Sequence, residues 1–169
     1  MPKTDPAREA LLTALEASGV SIPLWDGILI EKTVRVAPGA TILPGCILRG
    51  NTTIAAGSVI GPGSVLTDAV IGKNCIVKNT YITESTLEEN VSIGPFSQVR
   101  PGCHIAAGCK IGDFVEVKNS HIGQKTAIAH LTYVGDTDCG SGVNFGCGVA
   151  IANFNGKEKF RTTIGDGAF

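Results

Sequence analysis

The sequence predicts a mainly-β protein, wound as a parallel β-helix behind one short α-helix. Three observations predict it. An aliphatic residue recurs every six positions through long stretches of the chain. A small residue recurs at the fifth place of those sixes. Aromatic residues make up only 5% of the chain, while 22 of its 169 residues are glycine. A core with so few rings must be built from small aliphatics in a repeating shape. A period of six is neither helical nor simple alternation, and an ordinary β-sandwich has no use for it.

The elements follow in order. "TDPAREALLTALEASGV" offers Asp5 as an N-cap, Pro6 at the first helical position and Gly19 as a stop. Leu11, Leu12 and Leu15 share one helical face. Residues 1–20 are therefore expected to form a short helix that caps the open lower end of the stack, and 21–169 the coils. Residues 36–65 read "VAPGAT ILPGCI LRGNTT IAAGSV IGPGSV", and 87–116 read "LEENVS IGPFSQ VRPGCH IAAGCK IGDFVE". Shortened units of five, such as "YITES" and "VKNSH", interrupt the sixes. Each unit makes one flat face and a corner, and three make one triangular coil. The first residue points inward, the small fifth residue fits the corner, and Gly and Pro-Gly supply turns. From 152 to 163 the sixes stop. "ANFNGKEKFRTT" carries a turn signal with local positive charge in "NGKEK" and contains Asn153, Lys157, Lys159 and Arg161, and an excursion of this kind is where function tends to sit. The last coil, ending at Phe169, reads as incomplete.

Composition restricts function. Net charge is −1 and the pI near 6.3, so no global electrostatic attraction to nucleic acid or membrane surfaces exists. No apolar run reaches the length of a membrane span. There is no C-x-x-C pair. Cys46, Cys75, Cys103 and Cys109 all take the fifth place of their units, where a thiol acts as a small buried hydrophobe. That use of cysteine fits a reducing compartment, and the chain is expected to be cytoplasmic.

The register singles out residues for chemistry. Arg100 and Lys118 are second residues of units three apart, so they are expected on one face, one strand spacing of about 4.8 Å apart. Like charges stacked in this way repel. An anion above them resolves the repulsion, and phosphate suits Arg plus Lys. Solvated surface cations are the plainer alternative. His130 takes the third place of its unit, Tyr133 closes that unit, and Cys147 is expected one coil above His130.

"GPFSQVRPG", "IGDFVEVKNSHIG", "AHLTYVGD" and "VNFGCGVAIANFNGKEKFRTTIGD" occur in this order. Together they resemble the acetyltransferase half of the bacterial bifunctional enzymes of UDP-N-acetylglucosamine synthesis, and "ALEASGVSI" is similar to the connecting helix of that family. The resemblance implies a left-handed β-helix, a homotrimer, and transfer of acetyl from acetyl-CoA to the amine of glucosamine-1-phosphate with no metal required. It implies that Arg100 and Lys118 hold the sugar phosphate, that His130 is the general base, and that Tyr133 and Asn144 also bind the sugar phosphate. Asn153 would lie by the amine and acetyl group, and Lys159 would belong to the excursion that closes the site. Phe154 stands where the family usually has tyrosine. Cys147 stands where it usually has alanine, close to the acetyl group. No "LAAGxGTRM"-like loop of a uridylyltransferase is present, and coils that hold coenzyme A in the family are not in this sequence. A non-catalytic module that binds sugar phosphates or organises oligomers is the alternative reading.

Overall fold

A computed structural model describes residues 5–169. The chain winds into three parallel sheets of seven, eight and seven strands, in which strands normally pair with the third strand along the sequence. That connectivity is a triangular coil. Along one face the inward residues run in single file: Ile42, Ile60, Val77, Ile93, Ile111, Ile128 and Phe145, all buried. These are first residues of their units, as the period requires. Full burial of such a side chain contributes roughly 1.5–3 kcal/mol, so the stack is held mainly by its three aliphatic files.

The fifth-place residues explain why the corners tolerate polar atoms. Ser58 is fully buried. Its hydroxyl donates to the carbonyl of Gly72 (2.7 Å) and accepts from the backbone N–H of Cys75 (3.0 Å). Ser85 does the same between Arg100 and Cys103. Each hydroxyl thus satisfies backbone groups that the turn leaves open. The thiols substitute for it: Cys109 Sγ donates to the carbonyl of Gly123 (3.1 Å). Cys46, Cys75, Cys103 and Cys109 are buried and free, and burial pushes their thiols above the ordinary range.

The helix spans Pro6–Ala17. Asp5 caps it by accepting from the N–H groups of Ala7 (3.0 Å) and Arg8 (3.2 Å), and Gly19 follows at φ +98°. Leu12 is buried in the core, with Leu11 and Leu15 packed against it. Arg8 ties the helix to the first coil through the carbonyls of Ile28 (2.7 Å) and Trp25. Residues 1–4 of the expected capping segment lie outside the described residues. Among those described, no helix is long and apolar enough to cross a membrane.

The excursion is shorter than its sequence suggests. Strand structure resumes at Thr162–Ile164, where Thr162 pairs with Thr137. Arg161 causes the early return: its Nε and Nη2 grip both oxygens of Asp138 (2.5 and 2.6 Å) and its Nη1 donates to the carbonyl of Asn119 (3.1 Å). Before that, Asn155 accepts from the backbone N–H of Lys157 and Glu158 and folds the tip, and Phe154 bridges back to Lys159.

Candidate functional site

Val99 pairs with Val117, which sets Arg100 opposite Lys118 one coil apart, as the register predicts. The structure differs on their charges, because neither cation stands unopposed. Arg100 Nη1 meets Glu116 Oε1 at 2.8 Å, and Lys118 Nζ meets Asp136 Oδ2 at 3.1 Å. Glu116 lies in the coil above Arg100, and Asp136 in the coil above Lys118. A carboxylate therefore separates each step of the charge ladder, which removes the repulsion inferred from spacing alone.

Asp136 is the hub of this cluster. It sits at a corner with φ +50° and its side chain is only 12% exposed. Asn119 Nδ2 donates to its Oδ1 (2.6 Å), and Asn153 Nδ2 and Lys118 Nζ donate to its Oδ2 (3.0 and 3.1 Å). These donors, Asn119 first, hold its carboxyl down at about 2. Asn153 also donates to the carbonyl of Gly135 (3.3 Å), so the excursion is pinned at its start by the same carboxylate. Lys159 returns from the tip to lie against Lys118. Its ammonium is pushed below the ordinary lysine range by that neighbour, while Asp136 holds Lys118 above it. Three cations, Arg100, Lys118 and Lys159, thus face two carboxylates, Glu116 and Asp136, and the surplus positive charge suits an anion.

Tyr133 stands over Glu116 in the ladder, and its ring folds across Gly135, which stands over Lys118. A side chain at position 135 would occupy the space of the phenol. Glycine here is a spatial requirement that keeps the hydroxyl beside Lys118.

His130 ends the strand Ala127–His130, one corner before Tyr133. Its side chain is 60% exposed, and Nδ1 lies 2.8 Å from Asp113 Oδ1. Asp113 is its ladder partner in the coil below. The hydrogen bond to His130 holds the Asp113 carboxyl below the usual range. An imidazole with Nδ1 bound to a carboxylate keeps Nε2 as the free base edge. Cys147 is exposed. Ile128 pairs with Phe145 and Tyr133 with Ala150, so the intervening residues 130 and 147 are in register. Asn144 is exposed on the strand Asn144–Phe145, above Ala127. Its side chain makes no hydrogen bond among the described residues. Phe154 is exposed in the excursion.

Spacing alone did not single out Asp113, Glu116, Asp136 or Gly135. Asp113 was within reach: it holds the third place of its unit, in the same column as His130. Asp136 was hidden because it occupies a corner of a shortened unit, where its role depends on a loop folding back over it.

The three parallel sheets, the period of six and the buried fifth-place residues define a triangular parallel β-helix of hexapeptide repeats. Residues 33–68 and 84–119 match the family described as bacterial transferase hexapeptide (six repeats). The structure superposes on a UDP-N-acetylglucosamine acyltransferase with a TM-score of 0.67, at 17% identity over 78% of this chain and 62% of that one. It superposes on the acyltransferase of the same name from Bacteroides fragilis with a TM-score of 0.60, at 17% identity over 76% and 63%. These two share its fold. In sequence the chain is homologous to the bifunctional protein GlmU. It is 44% identical to GlmU of Acetivibrio thermocellus over 162 residues, which is 96% of this chain and 35% of that protein. It is 41% identical to GlmU of Clostridium kluyveri over 152 residues, 90% of this chain and 33% of that protein. The chain thus spans about a third of the length of these relatives. At most seven of its 169 residues lie outside the first alignment, so nearly all of the segment from Arg100 to Arg161 falls within it.

Proposed function

We propose that this chain forms the acceptor side of an N-acetyltransferase site that moves acetyl from acetyl-CoA to the amine of glucosamine-1-phosphate. The observation that carries the reading is the joining of two devices on neighbouring faces of the coil. One is the cation cluster of Arg100, Lys118 and Lys159 with the Tyr133 hydroxyl. The other is His130, fixed by Asp113. The homology to GlmU and the shared fold of sugar-nucleotide acyltransferases support it.

The chemistry follows from the geometry. A phosphate bound by Arg100 and Lys118 fixes one end of the sugar, with Tyr133 and Asn144 as further partners and Lys159 closing over it. The amine is largely protonated near neutrality and must lose its proton before it can attack a thioester. His130 takes that proton at Nε2, which a positioned imidazole can turn into roughly 10²–10⁴-fold in rate. In the resting arrangement Asn153 gives its amide to Asp136, so its first task is to hold the excursion in place, beside the acetyl-binding positions Cys147 and Phe154. A homotrimer in the cytoplasm is the assembly and location this reading carries.

Isothermal calorimetry tests it. Glucosamine-1-phosphate should bind this chain, and glucosamine without its phosphate should not. Equal binding of both sugars, or binding unaffected by Arg100→Ala and Lys118→Ala together, would return the cluster to an ordinary charged surface.

A further inference from the structure

The tip of the excursion carries chemistry that the acceptor site does not use. Of the asparagines in the chain, only Asn155 precedes a glycine. An asparagine carboxamide and the next backbone nitrogen can close a five-membered imide, and glycine leaves that nitrogen least obstructed. Three features of the tip favour the closure. Asn155 and Gly156 are both exposed, so water reaches them. The Gly156 N–H donates to no partner among the described residues, and a β-carbon at position 156 would meet nothing within 4 Å. The attacking nitrogen is therefore uncommitted and open. Finally, Asn155 Oδ1 accepts from the backbone N–H groups of Lys157 (2.9 Å) and Glu158 (2.8 Å). Attack at Cγ turns that oxygen into an oxyanion, and two N–H groups at these distances are an oxyanion hole already in place. Asn119 and Asn153 are held differently, since their amides donate to Asp136.

We propose that Asn155 is a self-modifying site: the tip promotes its own deamidation, and the isoaspartate that results loosens the excursion. The Gly156 nitrogen loses its proton to solvent hydroxide and bonds to Cγ of Asn155. The bond from Cγ to Nδ2 breaks, and the departing nitrogen takes a proton from water and leaves as ammonia. Water then opens the imide at either carbonyl, with no oxidation or reduction. Opening at Cγ gives aspartate, which still accepts from the N–H groups of Lys157 and Glu158. Opening at the main-chain carbonyl gives isoaspartate, whose backbone runs through Cβ and Cγ and is one atom longer. That extra atom falls inside the turn closed by the Asn155 N–H on the carbonyl of Glu158 (3.2 Å) and by the bridge from Phe154 to Lys159. Opening the turn withdraws Lys159 from Lys118. Weaker sugar-phosphate binding then follows from the acceptor reading, whereas the modification itself does not depend on it.

The test incubates the whole chain at mildly alkaline pH, folded and, in parallel, unfolded in guanidinium chloride. Peptide mapping by mass spectrometry follows aspartate and isoaspartate at position 155. The oxyanion hole should make the folded chain react on the order of tenfold faster than the unfolded one, with Asn155 the first asparagine to change. The isoaspartyl form, separated by ion exchange, should show faster amide exchange across 152–161 and severalfold weaker binding of glucosamine-1-phosphate in calorimetry. A folded chain that reacts no faster than the unfolded one, or in which another asparagine reacts first, would overturn the self-modification. Unchanged amide exchange in the isoaspartyl form would overturn the loosening. Failure of the unaged chain to bind glucosamine-1-phosphate would refute the acceptor reading alone, because neither mapping nor exchange needs the ligand.

Discussion

Replacing Asp136 with Asn tests whether one carboxylate holds the cation cluster and the excursion together. The side chain is 12% exposed, and its three donors hold the carboxyl at about 2 against an ordinary 3.8. That displacement of about two pH units corresponds to about 2 kcal/mol of stability. The sign is fixed by the direction of the displacement. A carboxyl lowered in the folded state stabilises it above the unfolded value near 4, and the contribution disappears as pH falls towards 2. Asp136→Asn should therefore cost about 2 kcal/mol in urea unfolding at pH 7, with an unchanged m-value. The gap from the parent protein should narrow below about pH 4 and close near pH 2. Asn153 would lose its charged partner, so amide exchange across 152–161 should rise while exchange in the coils around Leu48 and Leu66 stays the same. A stability loss that does not vary with pH, or exchange that stays unchanged in the excursion, would refute the role given to Asp136.

Lys118→Ala should weaken glucosamine-1-phosphate binding and also destabilise the fold by about 1–3 kcal/mol, since it strips Asp136 of a charge-assisted hydrogen bond. Stability equal to the parent in urea would restore the like-charge picture that spacing alone suggests. Gly135→Ala should displace the Tyr133 phenol and lower sugar-phosphate affinity, with less than about 1 kcal/mol lost in stability because the ring can swing outward. Unchanged affinity in calorimetry would remove Tyr133 from the acceptor site. In a form of the protein that turns over, His130→Ala should lower kcat by about 10²–10⁴-fold and leave acceptor binding nearly unchanged. Near-normal kcat in that variant would exclude His130 as the base.

The coils were legible in the sequence because a β-helix repeats one physical problem. Every inward position needs an aliphatic residue and every corner a small one, so Ile42, Ile60 and Val77 announce their places through period alone. The helix was legible because each of its signals is local: Asp5 and Pro6 act on the first turn and Gly19 just past the last. Register carried further still and placed Arg100 opposite Lys118 without coordinates. It failed where interactions leave the ladder. Glu116 and Asp136 neutralise those cations from the coils above them, and Asn153 and Lys159 reach them only because the excursion folds back. Arg161 shortens that excursion by gripping Asp138, 23 residues earlier. Such contacts depend on the path of an irregular loop, which no period encodes. Asp113 is the intermediate case: its column was readable, but its bond to His130 becomes visible only when both side chains are placed.

A crystal structure of this chain soaked with glucosamine-1-phosphate tests the acceptor site most directly. The phosphate should lie within hydrogen-bond distance of Arg100 and Lys118, with Lys159 drawn over it and the amino nitrogen facing Nε2 of His130. A sugar phosphate bound elsewhere on the coil, or bound at Arg100 and Lys118 with its amine turned away from His130, would contradict this arrangement.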